Sequence, residues 1–240
     1  MRYAGRTETG LRAQNEDRYM ILHTDSIHAV AVSDGMGGHR AGETASRTAV
    51  ETLERALLQG DAPREARLNQ AFTEANAAVH TLAQSDDAMY GMGCTLVAAL
   101  CDEQQFVAAN VGDSRLYHFD GTELKQITHD HSFVAELVRR GIITREEAKT
   151  HPRRNLITRA IGTEEHVAVD LFGCDWKRGD MLLLCSDGLC GVMEEAEMAA
   201  YLRNAIDLDA TCAALISRAL QLGSRDNITV VLVQNDGGIA

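Results

Sequence analysis

GMGCTLVAALCDEQQFVAANVGDSRLYHFDGTELKQI, residues 91–127, holds three short apolar runs separated by tight polar joins. Gly91 to Leu100, Gln105 to Val111 and Ser114 to Phe119 read as strands, and Asp120-Gly121 is a hairpin signal leading to a fourth, Glu123 to Ile127. Strands joined by so few residues run antiparallel, since a parallel neighbour needs a crossover of about a dozen residues or more. A doubly wound dinucleotide fold is thereby set aside.

Outward from this stretch the same logic repeats. Met1 to Gly10 reads as an edge strand, and Arg18 to Thr24 and Ile27 to Ser33 as two more. From Gly42 the apolar period changes to that of a helix, with Ala45, Ala49, Leu53 and Ala56 on one face. A second helix runs from Pro63 to Leu82 with Leu68, Phe72, Ala75 and Val79 aligned. Downstream, Val167 to Phe172 and Met181 to Cys185 read as strands, Glu194 to Ala205 and Thr211 to Leu222 as helices, and Asn227 to Val233 as a closing strand. Strands, paired helices, strands, paired helices, strand: the order predicts an α+β, four-layer α-β-β-α sandwich, two antiparallel sheets face to face with helices outside. Residues 1–240 contain two prolines and no linker-like tract, so one domain is expected. Asp130 to Arg154 reads as a charged helical insertion lying on the surface near the site.

A formal charge of −12 repels a phosphate backbone and argues against general nucleic-acid binding. The six cysteines have no Cys-x-x-Cys spacing and several lie in apolar runs, which reads as reduced, buried thiols. No run reaches membrane-spanning length and the first twenty residues lack an apolar core. A cytoplasmic protein is expected, with no membrane and no nucleic acid among its partners.

Several apolar runs end at aspartates. VAVSDGMGG, Val30 to Gly38, stops at Asp34 beside three glycines; MLLLCSDG, Met181 to Gly188, stops at Asp187. Asp113 in NVGDSR and Asp226 in SRDNITVVLV have similar settings. Glycine lets backbone carbonyls approach an ion closely. Four strand-end carboxylates suggest one site, and oxygen-only ligands select hard cations such as Mg²⁺ or Mn²⁺ over zinc. A carboxylate can bridge a metal pair about 3.5–4 Å apart, which activates water for in-line displacement at phosphorus. Phosphate ester hydrolysis is the expected chemistry, with Arg12, beside the acidic N-E-D turn, able to fork onto phosphate oxygens.

RAQNED (Arg12 to Asp17), SDGMGGH (Ser33 to His39), GMGCT (Gly91 to Thr95), NVGDSR (Asn110 to Arg115), CSDGL (Cys185 to Leu189) and RDNIT (Arg225 to Thr229) occur in that order. Together they resemble the motifs of the metal-dependent protein phosphatases of type 2C, in their compact bacterial form, from end to end of the chain. The resemblance implies hydrolysis of phosphoserine and phosphothreonine in proteins. It implies that Asp34 bridges two metals, that the Gly35 carbonyl binds one and that Asp187 and Asp226 complete the other. Asp113 with Asp187 would hold a third, weaker ion; Glu16 and Asp17 would hold metal-bound waters; Arg12 would hold the phosphate. No protein nucleophile is needed, since the bridging water attacks directly. Eukaryotic relatives carry a histidine directly after D-G, where this chain has Met36, so the candidates for proton donor are His39 and a metal-bound water. Residues 131–159 correspond to the family's variable flap, where Arg139, Arg140, Arg153 and Arg154 could meet the phosphoprotein. A cognate Ser/Thr kinase and a monomeric state are expected. The alternatives are a two-metal hydrolase of small phosphate esters and a phosphate-sensing module without turnover.

Three motifs are better read as structure. His129-Asp130-His131 resembles a metal cluster, but adjacent ligands in a turn point apart, and a helix-entry turn is the better reading. Cys212 and Arg218 have the spacing of a cysteine-dependent phosphatase loop without its glycines. DLDAT, Asp207 to Thr211, matches the aspartyl-phosphate motif of haloacid dehalogenases but follows a helical pattern, with Asp209 or Thr211 as helix cap.

Overall fold

A computed structural model describes residues 1–37, 40–59, 61–85 and 87–237. In chain order its strands are β1 (Arg2–Glu8), β2 (Arg18–His23), β3 (His28–Ser33), β4 (Gly35–Met36), β5 (Gly93–Cys94), β6 (Leu96–Cys101), β7 (Gln105–Val111), β8 (Arg115–Phe119), β9 (Leu124–Gln126), β10 (Asp170–Asp175), β11 (Met181–Cys185) and β12 (Ile228–Gln234). Its helices are α1 (Arg40–Gln59), α2 (Arg64–Ser85), α3 (Phe133–Arg139), α4 (Arg145–Thr150), α5 (Asp187–Cys190), α6 (Glu195–Arg203) and α7 (Leu208–Gln221).

One sheet has the order β1-β12-β11-β8-β9 and the other β10-β7-β6-β3-β2. Both are antiparallel throughout. Alternation along the strands explains why they stack. In β3, Val30 and Val32 enter the layer between the sheets with Val231 and Leu182, while Ala29 and Ala31 face the opposite way into the core under α1 and α2. In β11, Leu182 and Leu184 face inward while Met181, Leu183 and Cys185 meet α6 and α7. Strands covered on both faces read as continuous apolar runs, as these do. The helices seat the predicted faces: Ala45, Ala49 and Leu53 on α1, and Leu68, Phe72, Ala75 and Val79 on α2, are fully buried. The α-β-β-α sandwich is thus the observed fold. Among the described residues no helix is long and apolar enough to cross a membrane.

Four of the differences from the sequence-based expectation have a visible cause. Gly91 to Leu100 is two strands interrupted at Thr95, whose amide donates to Asp34 O at 2.8 Å and whose hydroxyl accepts from Asp34 N at 2.9 Å. The strand placed at Val167 to Phe172 begins at Asp170, because Arg159 takes the Ala168 carbonyl at 3.0 Å. The helical insertion is two short helices: Gly141, at φ 68°, turns the chain after α3, and a capping box between Thr144 and Glu147 starts α4. Helix α7 is capped by Asp207, which accepts from the amides of Asp209 and Ala210, rather than by Asp209 or Thr211.

Candidate metal and phosphate site

Strand register places the predicted residues together. Cys185 is opposite both Arg115 and Val230, so Asp187, Asp113 and Asp226 leave the first sheet at the same end. Arg18 is opposite Ser33 in the other sheet, so Asp17, Glu16 and Asp34 share an end. The Thr9–Asp17 segment joins the two ends, since Glu8 pairs with Ile228 and Arg18 with Ser33. Six motifs distant in sequence therefore line one end of the sandwich.

Local bonding fixes each residue. Asp17 is buried, and its Oδ2 accepts from Ser186 Oγ and from Thr229 Oγ1, both at 2.7 Å. Gly35 donates its amide to Glu16 O at 3.2 Å, and a Cβ there would collide with the backbone oxygens of Gly42 and Glu16, so only glycine fits this crossing. Ser46 Oγ also donates to Glu16 O, at 2.5 Å. Asp113 sits between Gly112 and Ser114, and the Ser114 hydroxyl bonds Thr95 Oγ1 at 2.7 Å. Arg12 Nη2 meets Asp226 Oδ2 at 2.7 Å, while Asp226 Oδ1 accepts the Asn227 amide at 2.9 Å. Asn227 then binds the arginine's loop, accepting from Glu16 N at 2.8 Å and donating to the carbonyls of Thr9 and Gln14 at 2.9 Å each.

The electrostatics are those of buried carboxylates crowded together and only partly compensated, by Arg12 and Arg115. Burial and then the charges of Asp17, Asp187, Asp113 and Asp226 push the Asp34 carboxyl well above its usual range. Burial is also the leading cause that pushes Asp17 and Asp187 up to about 6 and Asp113 up to about 8. The Asp226 bond and charge hold the Arg12 guanidinium above its ordinary value. Asp17 Oδ1 and Asp187 Oδ1 are buried with no hydrogen-bond partner. Among the described residues no group of three or more His, Cys, Asp or Glu side chains is placed so that it could hold a metal ion as it stands. Like charges at low dielectric do not close up without a counter-charge. Orphaned oxygens, an all-oxygen donor set and raised carboxyls together fit hard divalent cations.

His39 lies outside the described residues. Arg139, Arg140, Arg153 and Arg154 are exposed on the flap; Arg140 pairs with Glu136, and the Arg153 guanidinium lies 5.3 Å from the Phe133 ring centre. Cys212 and Arg218 are both on α7, with Arg218 Nε paired to Glu197 at 2.5 Å. The sequence reading missed Ser186, Thr229, Thr95 and Asn227 as anchors, although all four stand inside the quoted motifs.

An antiparallel α-β-β-α sandwich with an acidic cluster and an arginine at one end is the arrangement expected of a metal-dependent phosphohydrolase. The protein phosphatase 2C family model matches residues 4–222. The chain is 42% identical over 238 residues to the serine/threonine phosphatase stp of Listeria monocytogenes serovar 1/2a, covering 96% of this chain and 94% of the other. It superposes on the crystal structure of the serine/threonine phosphatase Stp1 from Staphylococcus aureus with a TM-score of 0.91 and 37% identity, covering 97% and 94% of the two chains. It is also similar to the catalytic domain of the serine threonine protein phosphatase PstP in complex with two manganese ions, with a TM-score of 0.86, 35% identity and 97% coverage of both chains. The chain belongs to the protein phosphatase 2C family and is a Ser/Thr protein phosphatase acting on phosphorylated proteins.

Proposed function

We propose that residues 1–240 form one catalytic domain that removes phosphate from phosphoserine and phosphothreonine through two tightly held Mn²⁺ or Mg²⁺ ions and a third, weaker one. Asp34, the Gly35 carbonyl, Asp187 and Asp226 are the residues that would hold the tight ions, and Asp113 with Asp187 the weak one. Glu16 and Asp17 would act through ordered water. When bound, the ions supply an ionised water for attack on phosphorus and neutralise charge on the phosphoryl oxygens.

The chain's own residues do the rest. Arg12 presents a planar fork to the phosphate and leaves Asp226 to do so. Asp17, anchored through Oδ2, keeps Oδ1 directed at the cluster without rotating. Met36 follows Gly35, so the proton for the leaving serine or threonine oxygen comes from His39 or from water. A monomer in the cytoplasm, opposed by a cognate Ser/Thr kinase, completes the reading.

The observation that carries it is the pair of orphaned, buried carboxylate oxygens on Asp17 and Asp187 within one acidic cluster. Phosphate release from a phosphothreonine peptide, with Mn²⁺ and with chelator, for wild type and Asp34→Asn, tests it. Turnover that needs the metal and disappears in the variant is expected; turnover indifferent to chelator would overturn it.

A further inference from the structure

His129, Asp130 and His131 point to three different places. His129 packs edge-on against Phe172 with ring centres 5.3 Å apart, and Asp130 is forked by Arg115 Nε and Nη2 at 2.7–3.0 Å. His131 turns toward the loop that carries Asp113. Its amide donates to Gly112 O at 2.9 Å, and its Nδ1 accepts from Gly112 N at 3.0 Å. One residue thus grips both polar groups of Gly112, with Asn110 Nδ2 adding a second donor to the same carbonyl at 3.1 Å. Gly112 sits at φ 112°, and a Cβ there would lie 2.6 Å from Thr95 Cβ, so the loop has no room to shift toward Thr95.

The other side of His131 holds the root of the flap. Its carbonyl accepts from Thr158 N at 2.8 Å, and the next residue, Ser132, caps α3 and bridges to Ile157. Since Nδ1 accepts, the ring proton is on Nε2, which donates to Asp170 Oδ2 at 3.1 Å. Arg159 Nη1, 2.9 Å from Nε2, is a donor beside a donor; its partners are Asp170 Oδ1 at 2.6 Å and Ala168 O at 3.0 Å. The imidazole is 2% exposed, and its Nδ1 accepts from Gly112 N and so carries no proton, which makes it a neutral ring in one tautomer; burial holds its pKa below the usual value.

We propose that His131 is a positioning residue that fixes the Gly112–Asp113 backbone and bolts it to both ends of the flap. The placement of the Asp113 carboxylate then depends on the flap root, and a ligand that orders one orders the other. This rests on the reading of Asp113 as a cation ligand, but the bolt itself makes a prediction without any metal.

Two measurements on His131→Leu, His131→Asn and Asp170→Ala test it, with thermal melts to confirm folding. Calorimetric Mn²⁺ titration of His131→Leu should show the weakest site weakened about tenfold, the weight of one buried hydrogen bond, with the tight sites unchanged. His131→Asn keeps an acceptor near the Nδ1 position and should recover affinity to within about threefold. Amide hydrogen exchange in chelator should quicken across residues 133–157 in all three variants, because each loses the link to Asp170. A folded His131→Leu that binds the weak Mn²⁺ as wild type does, or an Asn variant no better than Leu, overturns the positioning of Asp113. Unchanged flap exchange overturns the bolt. A wild-type titration with no site that Asp113→Ala removes would instead fault the metal assignment, leaving the exchange measurement to decide the bolt.

Discussion

Arg12 and Asp226 lie 214 positions apart in sequence, yet Nη2 and Oδ2 are 2.7 Å from each other. The arginine is held where charge compensation is most needed, at the rim of the acidic cluster, and its side chain is 59% exposed. An exposed ion pair contributes only about 0–1 kcal/mol to stability, so its purpose is not to hold the fold. Arg12→Ala should leave the melting temperature nearly unchanged while lowering kcat/KM on a phosphothreonine peptide by about 10- to 100-fold, the value of a charge-assisted hydrogen bond. Arg12→Lys should restore only part, since an ammonium cannot fork onto two oxygens. Steady-state kinetics on the two variants decide it, and equal rescue by lysine would count against bidentate binding.

The raised carboxyls predict an unusual pH dependence once metal is removed. Asp17 and Asp187 are pushed up to about 6, and Asp113 up to about 8, each by burial first. Raised folded values mean that the folded protein binds more protons than the unfolded chain, so stability is lost as pH rises through them. Urea midpoints in chelator should therefore fall from about pH 4, the ordinary carboxyl value, up to about pH 8, and Mn²⁺ should remove most of that slope by supplying the counter-charge. Asp34→Asn, expected to abolish turnover, should raise the metal-free midpoint at pH 8 because it deletes one of the repelling charges. A metal-free midpoint that climbs across this range would show that the carboxylates are not coupled as described.

Two hydroxyls hold Asp17. Ser186 and Thr229 donate to the same Oδ2, and both are fully buried. Thr229→Val keeps the shape and removes a donor from a buried carboxylate. It should cost about 1–3 kcal/mol in urea unfolding. Ser186→Ala should cost a similar amount, and the double variant less than the sum, because both act on one oxygen. Strict additivity would mean that the two hydroxyls do not share Asp17.

Much of this was legible from residues alone, for a reason that also marks the limit. Asp34 and Asp187 stand out because an apolar run ending in D-G is strand, stop and bare backbone in one phrase. Met181–Cys185 and Ile228–Gln234 read as strands from their continuous apolar runs, which do not say which side chain meets which layer, and Leu68, Phe72, Ala75 and Val79 lie where the helical period puts them. What was lost were bonds between distant residues that leave no local pattern. Thr95 spends its amide and hydroxyl on Asp34 and so breaks an apolar stretch that reads as one strand. Arg159 takes the Ala168 carbonyl, and the start of β10 moves with it. His131 looked like a turn residue because its partner, Gly112, is nineteen positions away.

Asn227 makes the same point as a prediction. Its side chain uses Oδ1 on Glu16 N and Nδ2 on the carbonyls of Thr9 and Gln14, which brackets Arg12 on both sides. It follows Asp226 directly, so one dipeptide holds both the charge that Arg12 meets and the loop that carries Arg12. Asn227→Ala removes three bonds at a residue 5% exposed and should destabilise the protein by about 2–4 kcal/mol. Asn227→Asp keeps the acceptor for Glu16 N, loses both donors and adds a further carboxylate next to Asp226; it should be worse than alanine in chelator and closer to it in Mn²⁺. Turnover should fall in both through KM for the phosphopeptide more than through kcat, because the misplaced group is Arg12, proposed above to hold the phosphate. Melting curves with and without Mn²⁺ and the KM-to-kcat split decide it; a pure kcat defect would place Asn227 with the cation ligands instead.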